Sequence, residues 1–369
     1  MAIEAVKNQY NPSSVSCPGE TIKELLEDLG MSQAELAQRS GCLPKTISTA
    51  INGKSPITMD LAFRLSKVFG TTAEFWVNRD ARYQEFLKQQ SDEAKFAEEA
   101  DWTRRFPITE MVERKWIPQV KAGTADCVKA LLDFFGVASV EQWQLGYSGS
   151  KLAFRKADKF KTHGEALSAW VRQGERQANT AAYANCGPYN KATFLAQLPK
   201  IKALIPKGDD SAFAQLVSLC CTAGVKVVFV KPFKSMPVNG ATMWQGSAPL
   251  ILLSNRGKTH DKLWFNFSHE AGHIIKHGKK DVYISLEKAD CTPKSPKEAA
   301  ADSFAQEWLL SKAAYQAWVG EGDFSRGSVV AFAEQQQTHP GVVVGRLQHD
   351  QKIGYNVHLD LKVTLTWKE

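Results

Sequence analysis

The chain has little of what marks a secreted or membrane protein. Its seven cysteines are an odd number with no Cys-x-x-Cys spacing, and Cys220-Cys221 lie side by side in an apolar run. That pattern predicts reduced, mostly buried thiols and excludes a disulfide framework. No apolar run approaches the ~20 residues that span a bilayer. Met1 to Tyr10 lacks the basic and apolar regions of a signal peptide, so the expected address is cytoplasmic with no membrane partner. Low-complexity segments and strong internal repeats are missing too. At 369 residues the chain is too long for one compact core, and two or three domains are expected.

Net charge is +7, unevenly placed: residues 1–80 hold eight Lys/Arg against nine Asp/Glu, and residues 151–210 hold eleven against five. Lys151, Arg155, Lys156, Lys159, Lys161, Arg172 and Arg176 carry most of the central excess. A solvated basic face is the ordinary meaning of such a run, and a surface for an acidic partner is the sharper one.

The stretch around which the chain is organised is Phe265-Asn266-Phe267-Ser268-His269-Glu270-Ala271-Gly272-His273-Ile274-Ile275. Read as a helix, it puts His269 and His273 one turn apart on one face, where they can share a metal ion. Glu270 between them completes His-Glu-x-x-His, the zincin arrangement, with Glu270 as general base. Two imidazoles suit Zn²⁺, and Mn²⁺ is not excluded.

A third ligand must come from elsewhere. Lys297 to Leu310 is rich in alanine and leucine and reads as a helix, with Glu298 and Asp302 four apart on one face. Glu298 is the expected third ligand. Asp302 is expected to orient a ligating histidine. On its own such a pair is more often a solvated face; the metal helix one loop earlier reverses the odds. Cys291 in that loop is a weaker candidate for capping the metal. His277, four residues past His273, is expected to support the site or pack against it. His260, His277 and Tyr283 are alternatives for stabilising an oxyanion. The loop from Leu286 to Lys297, with Pro293 and Pro296, is a candidate lid.

At the other end, helices are expected over Thr21–Leu29, Ser32–Arg39, Pro44–Ile51 and Thr58–Phe69, and from Thr72 onward. Ser32 with Glu35 three residues on is a capping-box signal, and Gly41 supplies a turn. Short helix, tight turn and short helix within a five-helix bundle is the helix-turn-helix plan. The third helix would then enter the DNA major groove. Lys45, Thr46, Ser48, Thr49, Asn52 and Lys54 are its candidate DNA contacts, and Gln33 is placed to meet a phosphate. Leu43 to Ser55 holds two lysines and no acid, although the domain as a whole is slightly negative. The plainer alternative is a bundle used only for protein contacts.

Residues 80–150 read as helical, with Trp116, Leu131, Leu132, Phe134, Phe135 and Trp143 as a small core. The period then changes: Val225–Val230, Gly240–Trp244 and Pro249–Ser254 are β-branched or apolar strands. Ile353–Trp367 alternates enough for a hairpin. The expected fold class is α+β, mostly helical. Its parts are a five-helix N-terminal bundle over 1–85, a helical linker or scaffold over 86–210 and a zincin-like domain with a small sheet over 211–369.

Two resemblances follow from these motifs. Pro18-Gly19-Glu20, Gly30 to Ala37, Pro44 to Ser48, Ile51-Asn52-Gly53-Lys54 and Ala73-Glu74-Phe75-Trp76 resemble the XRE family, in its HigA-type antitoxin branch. The metal motif and the Glu-x-x-Ala-Asp-x-Phe-Ala run resemble the ImmA/IrrE metallopeptidases, although Leu309-Leu310-Ser311 stands where that family often has Leu-Met-Pro. The first resemblance implies a homodimer that binds an inverted-repeat operator and regulates its own transcription. The second implies a zinc peptidase that acts on a repressor or toxin, with a substrate peptide along an edge strand near Ala241–Trp244. Together they imply an antitoxin-like regulator with a built-in peptidase. The alternative is a non-proteolytic antitoxin that neutralises a toxin by binding, its peptidase fold serving as a docking or sensing module.

Overall fold

Helix starts in the N-terminal third are written by small hydroxylated residues. Ser32, Thr58 and Thr72 each accept a backbone N–H of the first turn that follows, at 3.1, 3.3 and 3.1 Å. In a computed structural model α1 (Pro18–Asp28) starts behind Cys17, these caps open α2 (Gln33–Ser40), α4 (Met59–Phe69) and α5 (Ala73–Glu98), and α3 (Pro44–Ile51) starts behind Leu43 with no side-chain cap. Gly41 ends α2 at φ +66, the left-handed turn that admits α3. Gly19 lets α1 touch the end of α3: a Cβ there would lie 1.9 Å from the carbonyl oxygen of Ile51. Ile22, Leu26, Leu36, Ala37, Ile47, Ile51, Leu65 and Trp76 fill the core between these helices.

The structure describes residues 14–148, 164–207, 211–234, 236–254, 256, 258–279, 282–286 and 295–365. Lys151, Arg155, Lys156, Lys159 and Lys161 of the basic run, Cys291 and Pro293 lie outside the described residues. By contact the chain divides into two units, Met1–Ala100 and Asp101–Glu369.

The second unit continues with α6 (Ile108–Glu113), α7 (Ala125–Phe135), α8 (Val140–Trp143), α9 (Gly164–Ala178), α10 (Lys191–Lys202) and α11 (Ser211–Thr222). Strands β1 (Lys226–Phe229), β2 (Val238–Gln245) and β3 (Ala248–Leu253) follow, then α12 (His260–Lys276), β4 (Tyr283–Leu286), α13 (Pro296–Leu309), α14 (Lys312–Glu321), α15 (Arg326–Gln335) and α16 (Pro340–His349). The chain is thus α+β and mostly helical, with one small mixed sheet.

The sequence boundary at 210 does not separate two packing units. Trp102, Phe106, Phe135 and Trp143 form an edge-to-face cluster, and α9 lies against the sheet. The indole N–H of Trp170 donates to the Val230 carbonyl at 2.9 Å, and a Cβ at Gly174 would stand 2.4 Å from a Leu252 methyl. The cysteine expectation needs correction as well: Cys186 and Cys221 are bonded. They are 35 residues apart and become neighbours only when the segment after α9 packs beside the end of α11, which spacing cannot reveal.

Sheet order is β1-β3-β2-β4, with β1 and β3 parallel and the other pairs antiparallel. This corrects the expected edge in part: Met243 and Trp244 pair only with β3, but Ala241 and Thr242 are covered by β4. Ala241–Trp244 is inside β2, paired on one side with β3 and on the other, through Ala241 and Thr242, with β4. Among the described residues the edge beside the metal helix is β4, whose four residues are too few for a periodic signal. The C-terminal hairpin is also absent among the described residues: 353–365 form turns, a 3-10 turn at Leu359–Leu361 and a single bridge from Thr364 to Thr259.

Helix α12 buries Trp264, Phe267, Ala271 and Ile274 in the main core, together with Val227, Ile251 and Leu253 of the sheet. Its opposite partner is α13. Gly272 allows the close approach: a Cβ there would come 3.1 Å from the Phe304 ring and 3.2 Å from Ala301 Cα. No described helix is long and apolar enough to cross a membrane.

Candidate metal centre and helix-turn-helix surface

The 3.6-residue repeat of α12 places His269 and His273 on one face, with their Nε2 atoms 3.1 Å apart. Glu298, in the first turn of α13, meets both: Oε2 is 3.3 Å from His269 Nε2 and Oε1 is 3.4 Å from His273 Nε2. Ser295 caps that turn by accepting the Glu298 N–H. The three donors lie within 4.8 Å of one another. Two imidazole nitrogens and a carboxylate, converging from two buried histidines and a part-exposed glutamate, suit a borderline divalent ion such as Zn²⁺.

Asp302, one turn along α13, reaches the far side of His269, with Oδ1 2.8 Å from Nδ1. That contact leaves Nε2 to face the triad. His277 is not on the triad. Helix α12 ends at Lys276, and His277 turns its Nε2 to within 3.0 Å of the Lys297 carbonyl, next to Glu298. Tyr283 on β4 stacks on His273, centroids 4.0 Å apart. His260 is elsewhere: it is buried, accepts the Trp264 indole N–H at 2.8 Å and packs against His339. Of the three oxyanion candidates, only His277 and Tyr283 flank the triad.

Glu270 is fully buried. Thr242 Oγ1 donates to its Oε2 and Ser285 Oγ to its Oε1, both at 2.6 Å. Sequence reasoning missed both residues; Thr242 looks like any strand threonine, and β4 has no sequence signal. Burial pushes the Glu270 carboxyl up to about 7, against the pull of His269 and the two hydroxyls. For His269 burial works downward, but the Asp302 and Glu298 carboxylates outweigh it and raise the imidazole to about 10. Burial, and then the charge of His269, lower His273 to about 3. Neighbouring groups pushed to such different values are what proton-handling sites display.

In the N-terminal unit, Gln33, Lys45, Thr46, Asn52 and Lys54 are exposed, and Ser48 and Thr49 are half-buried. Thr49 Oγ1 donates to the Thr46 carbonyl and accepts from Ser55, and Asn52 donates to the Ser48 carbonyl at 2.7 Å. Thr49 and Asn52 therefore brace the end of α3, while Gln33, Lys45, Thr46 and Lys54 extend the polar surface around it.

Residues 22–76 match the helix-turn-helix family, and residues 221–322 match the IrrE N-terminal-like domain of peptidase family M78. An HTH-type transcriptional regulator of Haemophilus influenzae is 42% identical over 72 residues, 19% of this chain and 64% of the relative. Antitoxin HigA-1 of Vibrio cholerae is 38% identical over 73 residues, 20% of this chain and 66% of the relative. Among solved structures, an addiction module antidote protein of the HigA family from Coxiella burnetii is 34% identical, covering 23% of this chain and 94% of its own, with a TM-score of 0.21. This chain spans 58–65% of the length of the first curated relatives it matches.

The chain therefore joins two classes of domain, a helix-turn-helix bundle and a peptidase-like M78 domain. It belongs to the XRE-type helix-turn-helix family, with HigA-type antitoxins among its relatives, and carries an ImmA/IrrE-like domain in its C-terminal half.

Proposed function

We propose that this chain is an antitoxin-like transcriptional regulator that binds operator DNA through α3 and carries a zinc-dependent peptidase acting on a repressor or toxin protein. The observation that carries the peptidase half is the convergence of His269, His273 and Glu298, with Asp302 behind His269 and Glu270 between the two histidines. The DNA half rests on the helix-turn-helix family match and on the acid-free surface of α3.

His269, His273 and Glu298 would hold the ion, with Mn²⁺ as a substitute for Zn²⁺. A bound divalent ion would acidify a water and polarise a peptide carbonyl. Glu270 is the group that takes up a proton at its carboxylate and returns it to the leaving amine. Asp302 holds the His269 ring in one tautomer, and Tyr283 covers His273 and keeps water from its face. At the other end, Lys45 and Lys54 neutralise phosphates, Gln33 meets the backbone, and Thr46, Ser48, Thr49 and Asn52 line the base-facing side. A homodimer would match an inverted repeat.

The burial of Glu270 favours a second reading, in which the peptidase is latent and the chain neutralises its toxin by binding. Growth rescue by wild type and Glu270→Gln, against the toxin co-expressed from the neighbouring gene, separates the two. Zinc content is measured on both proteins. Rescue lost only in Glu270→Gln supports the peptidase; equal rescue with zinc retained supports binding. A wild-type chain with no zinc would refute the metal site.

A further inference from the structure

The carboxylate of Glu270 has neighbours that the metal triad does not account for. It is 0% exposed, and each oxygen receives one hydroxyl. The donors stand on adjacent strands: Thr242 on β2 and Ser285 on β4, where Gly240 pairs with Ser285 and Thr242 with Tyr283. Gly240 provides the space, since a Cβ there would lie 2.8 Å from Glu270 Oε1 and 3.1 Å from its Cγ. A carboxylate taken out of water is costly unless donors replace the lost hydration, and hydrogen bonds to it are strong. Two donors anchored in a sheet also leave it little rotational freedom. Strand β4 makes a second contact with the same helix. Tyr283, two residues before Ser285 and so on the same face, stacks on His273 at an interplanar angle of 13°.

We propose that Thr242 and Ser285 are positioning residues for Glu270, two hydroxyl donors in a recess opened by Gly240 that hold its carboxylate beside the His269–His273–Glu298 triad. Through Ser285 and Tyr283 the edge strand β4 grips both the base and a metal-binding imidazole. The catalytic meaning rests on Glu270 being the base of the proposed peptidase; the grip itself exists in the metal-free chain.

The test is a thermal double-mutant cycle on the full-length, metal-free protein with Ser285→Ala, Thr242→Val, Glu270→Ala and the paired combinations. Each hydroxyl deletion is expected to lower Tm by about 2–6 °C, the scale of one charged hydrogen bond. Ser285→Thr and Thr242→Ser, which keep the hydroxyl, recover most of that loss. In the Glu270→Ala background Ser285→Ala shifts Tm by less than about 1 °C, because its partner is gone, and Thr242→Val loses only the part due to the Glu270 main-chain carbonyl, which its hydroxyl also reaches at 3.1 Å. Losses that simply add across the cycle, or that the hydroxyl-keeping variants do not recover, would overturn the proposal. Zinc affinity by chelator competition should stay within about threefold of wild type in Ser285→Ala and Thr242→Ser. A loss of tenfold or more, the size expected of ligand-supporting residues, would assign the hydroxyls to the ligands instead of Glu270. If wild type binds no zinc, the peptidase reading fails, and the unfolding cycle still decides the hydroxyl contacts.

Discussion

Asp302 Oδ1 lies 2.8 Å from Nδ1 of His269, on the side of the ring away from the triad. The pair is 12% and 6% exposed at the side chains, so little water competes with the contact. The carboxylate faces Nδ1 and leaves Nε2 on the side of His273 and Glu298; with a metal on Nε2 it would fix the ring with its proton on Nδ1. Asp302→Asn is expected to weaken zinc binding about 10–100-fold without unfolding the chain. Chelator competition reads the affinity and circular dichroism the fold. Unchanged affinity would show that Asp302 only packs against the ring.

The Glu270 carboxyl predicts a pH trend in the metal-free chain. Its folded value, about 7, lies above the ordinary 4.5, so between the two the folded chain holds a proton that the unfolded chain has shed. Stability from this group is then lost as pH rises from 4.5 through 7. Glu270→Gln lacks that proton exchange. Its stability relative to wild type should rise across the window by roughly 3 kcal/mol at most. Denaturant melts at pH 4.5, 6 and 8 with metal removed would check this, and a flat difference would contradict it.

Lys45 is exposed in the first turn of α3, and Lys54 is exposed in the turn that follows the helix. If both contact phosphates, Lys45→Ala and Lys54→Ala should each weaken binding to the DNA upstream of the gene about equally for specific and unrelated sequence. Each should also lower the log–log salt slope by about 1. Fluorescence anisotropy at several salt concentrations measures both. Thr46→Ala should instead erode the preference for the operator.

Gly272 sits where α12 and α13 cross, with Phe304 and Ala301 3.1–3.2 Å from an added Cβ. Gly272→Val is expected to force the helices apart, costing about 1–3 kcal/mol by overpacking. It should also weaken zinc binding, since Glu298 rides on α13. Thermal unfolding and zinc content would be measured together; full zinc loading with unchanged Tm would contradict the crossing as described.

Much of the N-terminal bundle could be read locally. Caps at Ser32, Thr58 and Thr72, a left-handed Gly41 and apolar residues at helical spacing define α1 to α5 without reference to anything distant. Even so, Glu35 turns to Arg39 instead of closing its capping box, and Leu29, expected as the last residue of the first helix, is an exposed C-cap. The grouping of His269, His273, Glu298 and Asp302 was legible for the same reason. Each pair is four residues apart on one helix, and the α-helical repeat converts that spacing into a shared face.

Nothing along the chain states which strand neighbours which. β2 lies between β3 and β4, Cys186 bonds Cys221, and Thr242 and Ser285 meet on Glu270, all through contacts between residues far apart in sequence. By itself the sequence determined the helices, the metal-ligand spacing and the polar face of α3, because these depend on backbone periodicity over a few turns. The tertiary structure alone decided the edge strand, the recess around Glu270 and the departure of His260 from the site. Those depend on which distant backbones pair and how closely glycines such as Gly240 and Gly272 let them approach.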